Sequence, residues 1–275
     1  ILLEGGIPNF PSPEEAINSF LKMHRATQSR NFLLETIPGH TSVKVDKQKL
    51  RARLIDLSNG GRQILSEVES KELLEAYGIK TTLPKLAKTP KEAVTLAKNI
   101  GYPVVMKVQS EEISHKSDAN CVMLNIQDEA TVKKKYDEIL KNAHAYNPKA
   151  RIEGVTVQKM VSEKGFEVIL GSKRDALFGP AVLFGMGGIA VEAIKDTSRE
   201  LAPLNKKTVR QLIYNTKIST LLKKGFRNLP PANMVCLEET AIRFSQLVSD
   251  IPEIKEMDIN PLKVDDKECI VLDAR

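Results

Sequence analysis

Apolar residues recur three and four positions apart along some stretches of this chain and gather into short β-branched runs along others. Three helix starts are marked by a Ser or Thr followed three residues later by Glu: Ser12-Pro13-Glu14-Glu15, Ser66-Glu67-Val68-Glu69 and Thr89-Pro90-Lys91-Glu92. In that arrangement the hydroxyl and the carboxylate satisfy each other's free backbone N–H groups. The first helix presents Ala16, Ile17, Phe20, Leu21 and Met23 on one face; the second runs to Tyr77 and is closed by Gly78. The third presents Ala93, Leu96, Ala97 and Ile100 and stops at Gly101. The same spacing predicts helices over 128–143, 208–224 and 235–249, the last with Leu237, Ala241, Phe244 and Val248 inward. Strands are predicted at 104–108, 122–126, 155–161, 167–170, 181–184, 254–259 and 270–273. Several of these follow one another with no long helix between them. That predicts an α+β fold with antiparallel hairpins rather than a doubly wound parallel sheet. Residues 38–63 are polar, lack sustained periodicity and contain Asn59-Gly60-Gly61, so they read as a linker.

Composition narrows the class. A chain of 275 residues with 41% hydrophobic and 28% charged content can bury a core as one large domain or two smaller ones. The net charge of +6 is dispersed, and Lys133-Lys134-Lys135 and Lys223-Lys224 read as solvated helix faces. With aromatics at 5% and no stripe of basic and aromatic residues, nucleic-acid binding is disfavoured. Cys121, Cys236 and Cys269 lie far apart in sequence without metal-ligand spacing, which points to a reducing, cytoplasmic setting. The apolar stretch 181–191 is too short and too glycine-rich to span a bilayer, so no membrane partner is expected. The chain starts at Ile1 without Met and stops at Arg275, and reads as a piece of something longer.

Four segments could carry chemistry. Lys107 ends an apolar run, and His115 follows in the polar segment Ile113-Ser114-His115-Lys116-Ser117-Asp118. A fixed ammonium beside an imidazole that is neutral near pH 7 suits phosphate handling; the bland reading is two solvated side chains. In Phe184-Gly185-Met186-Gly187-Gly188, successive glycine N–H groups could face phosphate oxygens, although by itself the segment reads as a tight hairpin turn. Asn260 and Asp273 end neighbouring predicted strands and could each give magnesium an oxygen ligand; alone, Asn260-Pro261 is a turn initiator. Val157-Gln158-Lys159-Met160-Val161 followed by Gly165-Phe166-Glu167 could be a hinge for an adenine edge and a carboxylate for ribose, but Glu163 and Glu167 are by default solvated. His24, His40 and His144 have no partner pattern, and neither a zinc cluster nor a nucleophile elbow is present.

Taken in order, these pieces resemble the ATP-grasp domain of the ADP-forming (NDP-forming) acyl-CoA synthetases, relatives of the succinyl-CoA synthetase β-subunit. The resemblance runs from Ile64-Leu65-Ser66-Glu67 through Tyr77-Gly78-Ile79, Gly101-Tyr102-Pro103-Val104-Val105-Met106-Lys107 and His115-Lys116-Ser117-Asp118. It continues through Val157-Gln158-Lys159-Met160-Val161, Phe178-Gly179-Pro180, the glycine segment, Leu201-Ala202-Pro203-Leu204 and Asp258-Ile259-Asn260-Pro261-Leu262 to Leu272-Asp273-Ala274. Gly6-Ile7-Pro8-Asn9-Phe10-Pro11-Ser12-Pro13-Glu14-Glu15-Ala16 resembles the end of the preceding ligase-CoA domain. The implied organisation is a ligase-CoA remnant over 1–37, the linker over 38–63 and an ATP-grasp domain over 64–275. The implied fold is two α+β subdomains clasping the nucleotide, preceded by the helical tail of a flavodoxin-like domain.

The resemblance also implies roles. Lys107, with Lys116 and Ser117 and the N–H groups of Gly187 and Gly188, would meet the phosphates of ATP or ADP. Gln158, Lys159 and Met160 would form the adenine hinge, Glu167 would sit at the ribose, and Asn260 and Asp273 would hold Mg²⁺. His115 would relay phosphate between an acyl phosphate and ADP, making the chain part of an acetate- or acyl-CoA ligase that is inactive alone. CoA would be bound by upstream domains of the same polypeptide or of a partner subunit. Two departures stand out. The family usually has Gly-Gly-Val where this chain has Asn120-Cys121-Val122, which narrows the loop's conformational choices. The family also places arginine directly before its Leu-x-Pro-Leu segment, where Glu200 stands here and Arg199 is displaced by one. Such departures keep a second reading open, a ligand-sensing synthetase-like module of a protein lysine acetyltransferase. A third is a nucleotide-dependent assembly subunit without chemistry.

Overall fold

The computed structural model describes residues 5–6, 8–34, 45–110, 112–113, 116–161, 164–187 and 196–275. The chain divides into two compact units, Ile1–Ser42 and Val43–Arg275. In the first, α1 (Pro13–Leu34) begins as its capping pattern requires, with the Glu15 N–H donating to Ser12 Oγ at 3.2 Å. Its apolar residues Ile17, Phe20 and Met23 are exposed.

The second unit opens with a helix, α2 (Lys47–Asn59), inside the stretch expected to be a linker. Its apolar signal is thin because only Leu50 and Leu54, one turn apart, pack on the core. Charge and capping hold the rest. Asp46 accepts the Lys49 N–H at 3.0 Å, Arg51 pairs with Glu253 at 2.8 Å, and Arg53 pairs with Glu72 at 2.8 Å. Partners so distant in sequence leave no periodic trace.

After α3 (Glu67–Ala76), the elements β1 (Lys85–Ala87), α4 (Pro90–Ile100), β2 (Val104–Gln109), β3 (Val122–Ile126), α5 (Glu129–Tyr146) and β4 (Gly154–Lys159) follow. They build a four-stranded sheet in the order β1-β4-β2-β3, every pairing antiparallel. Met106, Val108, Val155 and Val157 from the sheet meet Ala93, Ala97, Val132 and Ile139 from α4 and α5 in one apolar core.

The remaining elements are β5 (Phe166–Asp175), β6 (Gly179–Met186), β7 (Thr197–Leu201), α6 (Lys206–Tyr214), α7 (Ile218–Lys224), α8 (Met234–Asp250), β8 (Glu256–Val264) and β9 (Cys269–Val271). Their strands form a five-stranded sheet, β7-β6-β5-β8-β9, again wholly antiparallel. Val168, Leu170, Phe184 and Ile259 pack against Leu73, Leu74, Leu237 and Phe244 in a second core. The expected α+β architecture with antiparallel hairpins is therefore the observed one.

Three local expectations are corrected. The helix expected over 208–224 is two helices, because the Asp196 carboxylate accepts the N–H groups of Lys217 and Ile218 at 2.7 and 2.8 Å. It caps α7 from outside the helix. Phe184-Gly185-Met186 lies within β6 rather than in a hairpin turn. A Cβ on Gly185 would collide with the Asp196 carbonyl and sit 2.8 Å from a Thr197 methyl, so glycine is there to let β7 pass closely. Asn260-Pro261 lies inside β8 and initiates no turn. Among the described residues no helix is long and apolar enough to cross a membrane.

Candidate functional site

The two sheets meet at a buried carboxylate. Ser66 caps α3 through a closed reciprocal box, and Arg62 forks the Glu69 carboxylate with both contacts at 2.9 Å. This fixes the first turn and aims the neighbouring Glu67 inward, where only 2% of its side chain is exposed. Glu67 accepts hydrogen bonds from Lys71 Nζ at 2.8 Å, Lys107 Nζ at 2.9 Å and Lys116 Nζ at 2.7 Å. Lys71, with no exposed side-chain surface, also donates to Thr82 Oγ1 at 3.1 Å, Gln158 Oε1 at 3.3 Å and the Leu272 carbonyl at 2.8 Å. Gln158 belongs to the four-stranded sheet and Leu272 follows the last strand of the five-stranded one, so this one ammonium bridges both. Lys107 reaches the same carbonyl at 3.2 Å and lies 3.8 Å from Asp273 Oδ2.

Burying charge is costly unless it is paired and hydrogen-bonded. Burial pushes the Glu67 carboxyl upward, but the charges of Lys107, Lys71 and Lys116 outweigh it and hold Glu67 well below the usual carboxylate range. Burial lowers Lys71 to about 8, against the attraction of Glu67, and Lys107 pushes in the same downward direction. Asp273, whose side chain solvent still reaches, is raised by the protein packed around it and then by Glu67, while Lys107 opposes. Asp258, although solvent reaches it, is raised by the protein packed around its carboxyl and by the neighbouring Asp273 and Glu256. Lys71, Lys107 and Lys116 are thus gathered on Glu67, and Lys107 also lies near Asp273.

Asn260 and Asp273 face each other across paired backbone, with the Asn260 N–H donating to the Asp273 carbonyl at 3.2 Å and Leu272 N–H to Pro261 O at 3.1 Å. No group of three or more His, Cys, Asp or Glu among the described residues could hold a metal ion. Magnesium, which keeps several waters and takes one or two protein oxygens, fits a pair of this kind.

Several other expected contact residues have partners within the fold. The Met160 N–H is not open to an adenine edge, since it donates to the Pro103 carbonyl at 3.1 Å. The Gln158 side chain is buried and serves Lys71, while Lys159 is exposed. The Gly187 N–H donates to the Glu167 carbonyl at 2.8 Å rather than facing a phosphate. A Cβ there would lie 2.8 Å from the backbone of Glu167 and Val168, so this glycine serves close strand packing. Glu167 itself is a partly exposed carboxylate 3.5 Å from Lys263 Nζ. Ser117 is exposed, and its carbonyl accepts the Asn120 N–H at 3.0 Å. His115, Gly188 and Glu163 lie outside the described residues.

The loop departure has a structural answer. Asn120 adopts φ +51, the left-handed region glycine favours and asparagine tolerates, and its carbonyl accepts Asn142 Nδ2 at 2.8 Å. Cys121 is wholly buried and its N–H closes the turn onto the Lys116 carbonyl at 2.8 Å. At the second departure, Arg199 pairs opposite Leu183 and Glu200 opposite Val182 in β7, so their side chains leave opposite faces.

Glu67 and Lys71 escaped the sequence reading. Their trace is a Glu and a Lys four residues apart at the start of a helix whose next residues, Leu73 and Leu74, are core. An ordinary surface ion pair looks the same.

Residues 56–275 match the family model described as an ATP-grasp domain. Over 278 residues, 100% of this chain and 39% of the relative, the chain is 42% identical to a 4-hydroxybutyrate–CoA ligase [ADP-forming] of Nitrosopumilus maritimus. It is 44% identical to the β subunit of acetate–CoA ligase [ADP-forming] II of Pyrococcus furiosus over 218 residues, 78% of this chain and 92% of that subunit. The chain thus spans only 39% of the longer relative's length. Among solved structures, it superposes with TM-score 0.79 and 39% identity on a dinucleotide-forming acetyl-coenzyme A synthetase 1 of Candidatus Korarchaeum cryptofilum in complex with coenzyme A, Ca-AMPCP and HgCl⁺, covering 82% of this chain and 97% of that one. A second form of that protein holds coenzyme A and Mg-AMPPCP, with its phosphohistidine segment pointing towards the nucleotide binding site. It matches with TM-score 0.72 at 36% identity over 82% of this chain and 98% of that one.

Proposed function

This chain belongs to the ATP-grasp family shared with the ADP-forming acyl-CoA ligases, and from that premise we propose that it is the nucleotide-handling part of such a ligase. The reaction interconverts acyl-CoA, ADP and phosphate with free acid, CoA and ATP. The observation that carries this reading is the set of lysines gathered on Glu67 beside the backbone-paired Asn260 and Asp273, where the two sheets meet.

In this reading Lys107 and Lys116 present their ammonium groups to phosphate oxygens, and Glu67 keeps both aimed while no phosphate is there. Asn260 and Asp273 hold magnesium, which when bound neutralises phosphate charge and favours in-line transfer. Glu167 meets the ribose hydroxyls. The strand end at Gln158–Met160 borders the adenine through groups other than the Met160 N–H. His115 would take the γ-phosphoryl group of ATP on an imidazole nitrogen, with ADP leaving, and pass it on to form the acyl phosphate, which frees the imidazole; the reverse direction makes ATP. Its neighbour Lys116 is held by Glu67, and Asn120 takes the left-handed turn that a glycine would take there.

CoA and the acid are bound outside this chain. The relatives supply both arrangements, a separate β subunit and a longer polypeptide. We assign the protein to the cytoplasm, where thiols stay reduced. Calorimetric titration of the folded chain with ADP and Mg²⁺ tests the reading. Binding is expected, and absence of heat at millimolar nucleotide would reject the site.

A further inference from the structure

Away from the nucleotide site, the fold brings together two cysteines that lie far apart in sequence. Cys236 sits in the first turn of α8, where its N–H donates to Asn233 Oδ1 at 3.0 Å. Cys269 opens β9, and its N–H donates to Cys236 Sγ at 3.1 Å. The pairing is held from two more points. The Asn233 N–H donates to the Asp265 carbonyl at 2.7 Å, and Asn233 Nδ2 donates to the Lys267 carbonyl at 2.9 Å. The α8 N-terminus is thereby tied to the β8–β9 turn. Both thiols are free, Cys236 partly exposed and Cys269 buried.

We propose that Cys236 and Cys269 form a dithiol modification site that exchanges with a low-molecular-weight disulfide to give an internal Cys236–Cys269 disulfide. Cys236 is the attacking sulfur because it is the accessible one, at the positive end of a helix and accepting an N–H, surroundings that favour a thiolate. Interaction with the neighbouring Cys269 thiol, helped by the Cys269 N–H, outweighs burial and lowers Cys236 to about 6, while the same thiol–thiol interaction and burial drive Cys269 far upward. In the first step the Cys236 thiolate attacks one sulfur of the reagent, forms a mixed disulfide and expels one thiolate. Cys236 then carries no charge, so the main cause holding the proton on Cys269 is gone. Cys269 loses that proton to the expelled thiolate, attacks Cys236 Sγ and releases the second thiolate, which takes from water the proton Cys236 had given up. Two protein thiols are oxidised and one reagent disulfide is reduced to two thiols. Cys121 offers the internal contrast. It is wholly buried, raised by burial, and has no cysteine beside it among the described residues.

The test incubates the folded chain with oxidised glutathione and maps the cysteines by mass spectrometry. The expected product has lost two hydrogens, with peptides containing Cys236 and Cys269 cross-linked and Cys121 still a thiol. Brief alkylation of the reduced native chain should modify Cys236 at least about tenfold faster than Cys121. Cys269→Ser should trap glutathione on Cys236. A glutathione adduct persisting on Cys236 in the unmutated chain, a bridge to Cys121 or to a second chain, or alkylation of Cys236 no faster than of Cys121 would each overturn the proposal. If serine at position 269 unfolds the chain, the map of the unmutated protein decides alone.

Discussion

Lys116 Nζ lies 2.7 Å from Glu67 Oε2, joining residues 49 apart in the chain, and Lys116 is the immediate neighbour of His115. The first turn of α3 thus grips the segment that carries the candidate phosphate acceptor. The same carboxylate holds Lys107 on β2, so a single anion organises the cations of the site.

Glu67→Gln should therefore be severe. It leaves three ammonium groups without their shared carboxylate, and breaking a buried pair costs about 3–5 kcal/mol. Urea unfolding checks this against Glu72→Gln. That change cuts the exposed Arg53–Glu72 pair and should cost less than about 1 kcal/mol.

Acid should erase the difference. The folded Glu67 carboxyl lies below its unfolded value of about 4.3, so the folded state binds fewer protons as that group titrates. Its contribution is fully present above that pH and is lost as the pH falls toward the folded value. The stability gap between the unmutated chain and Glu67→Gln should narrow steadily below about pH 4. Lys71, lowered to about 8 in the fold, acts on the other side. Between that value and about 10.4 the unfolded state holds more protons, so its contribution rises with pH. A gap constant from pH 3 to 7 would show that Glu67 is not an ionised hub.

How much of this was legible in the sequence depends on how local each signal is. The β3 run 122–126 and the caps of α1 and α3 were readable because a short apolar run and a cap's spacing lie within a few residues. Helix α2 was not, since its ion pairs reach Glu253 and Glu72. The break between α6 and α7 depends on Asp196, and β7 is a mostly polar, exposed edge strand without apolar alternation. At the site, Lys107, Asn260 and Asp273 stood out through motif resemblance. Glu67 and Lys71 did not, because only the fold reveals that their ordinary helical pair is buried.

Close backbone approach predicts which glycines tolerate a methyl. Gly187→Ala should destabilise by about 1–3 kcal/mol, because the added carbon meets the backbone of Glu167 and Val168, which cannot move aside alone. Gly171→Ala, whose nearest neighbour is the Asp258 carboxylate at 3.3 Å, should cost distinctly less. Urea midpoints of the two variants decide the ranking.

For the metal, Asp273→Asn should raise the magnesium concentration needed to support nucleotide binding while affecting metal-free binding less. Magnesium titration at fixed ADP checks it. An unchanged midpoint would remove Asp273 from the ligand set.

The phosphate relay is the central claim, and isotope transfer in the complete ligase tests it most directly. With ATP labelled in its γ-phosphate, this chain within the full enzyme should acquire acid-labile, base-stable phosphate. His115→Asn should abolish both that label and net acyl-CoA synthesis while leaving nucleotide affinity intact, since asparagine keeps polar volume but lacks the nucleophilic nitrogen. Undiminished turnover in His115→Asn would contradict the account.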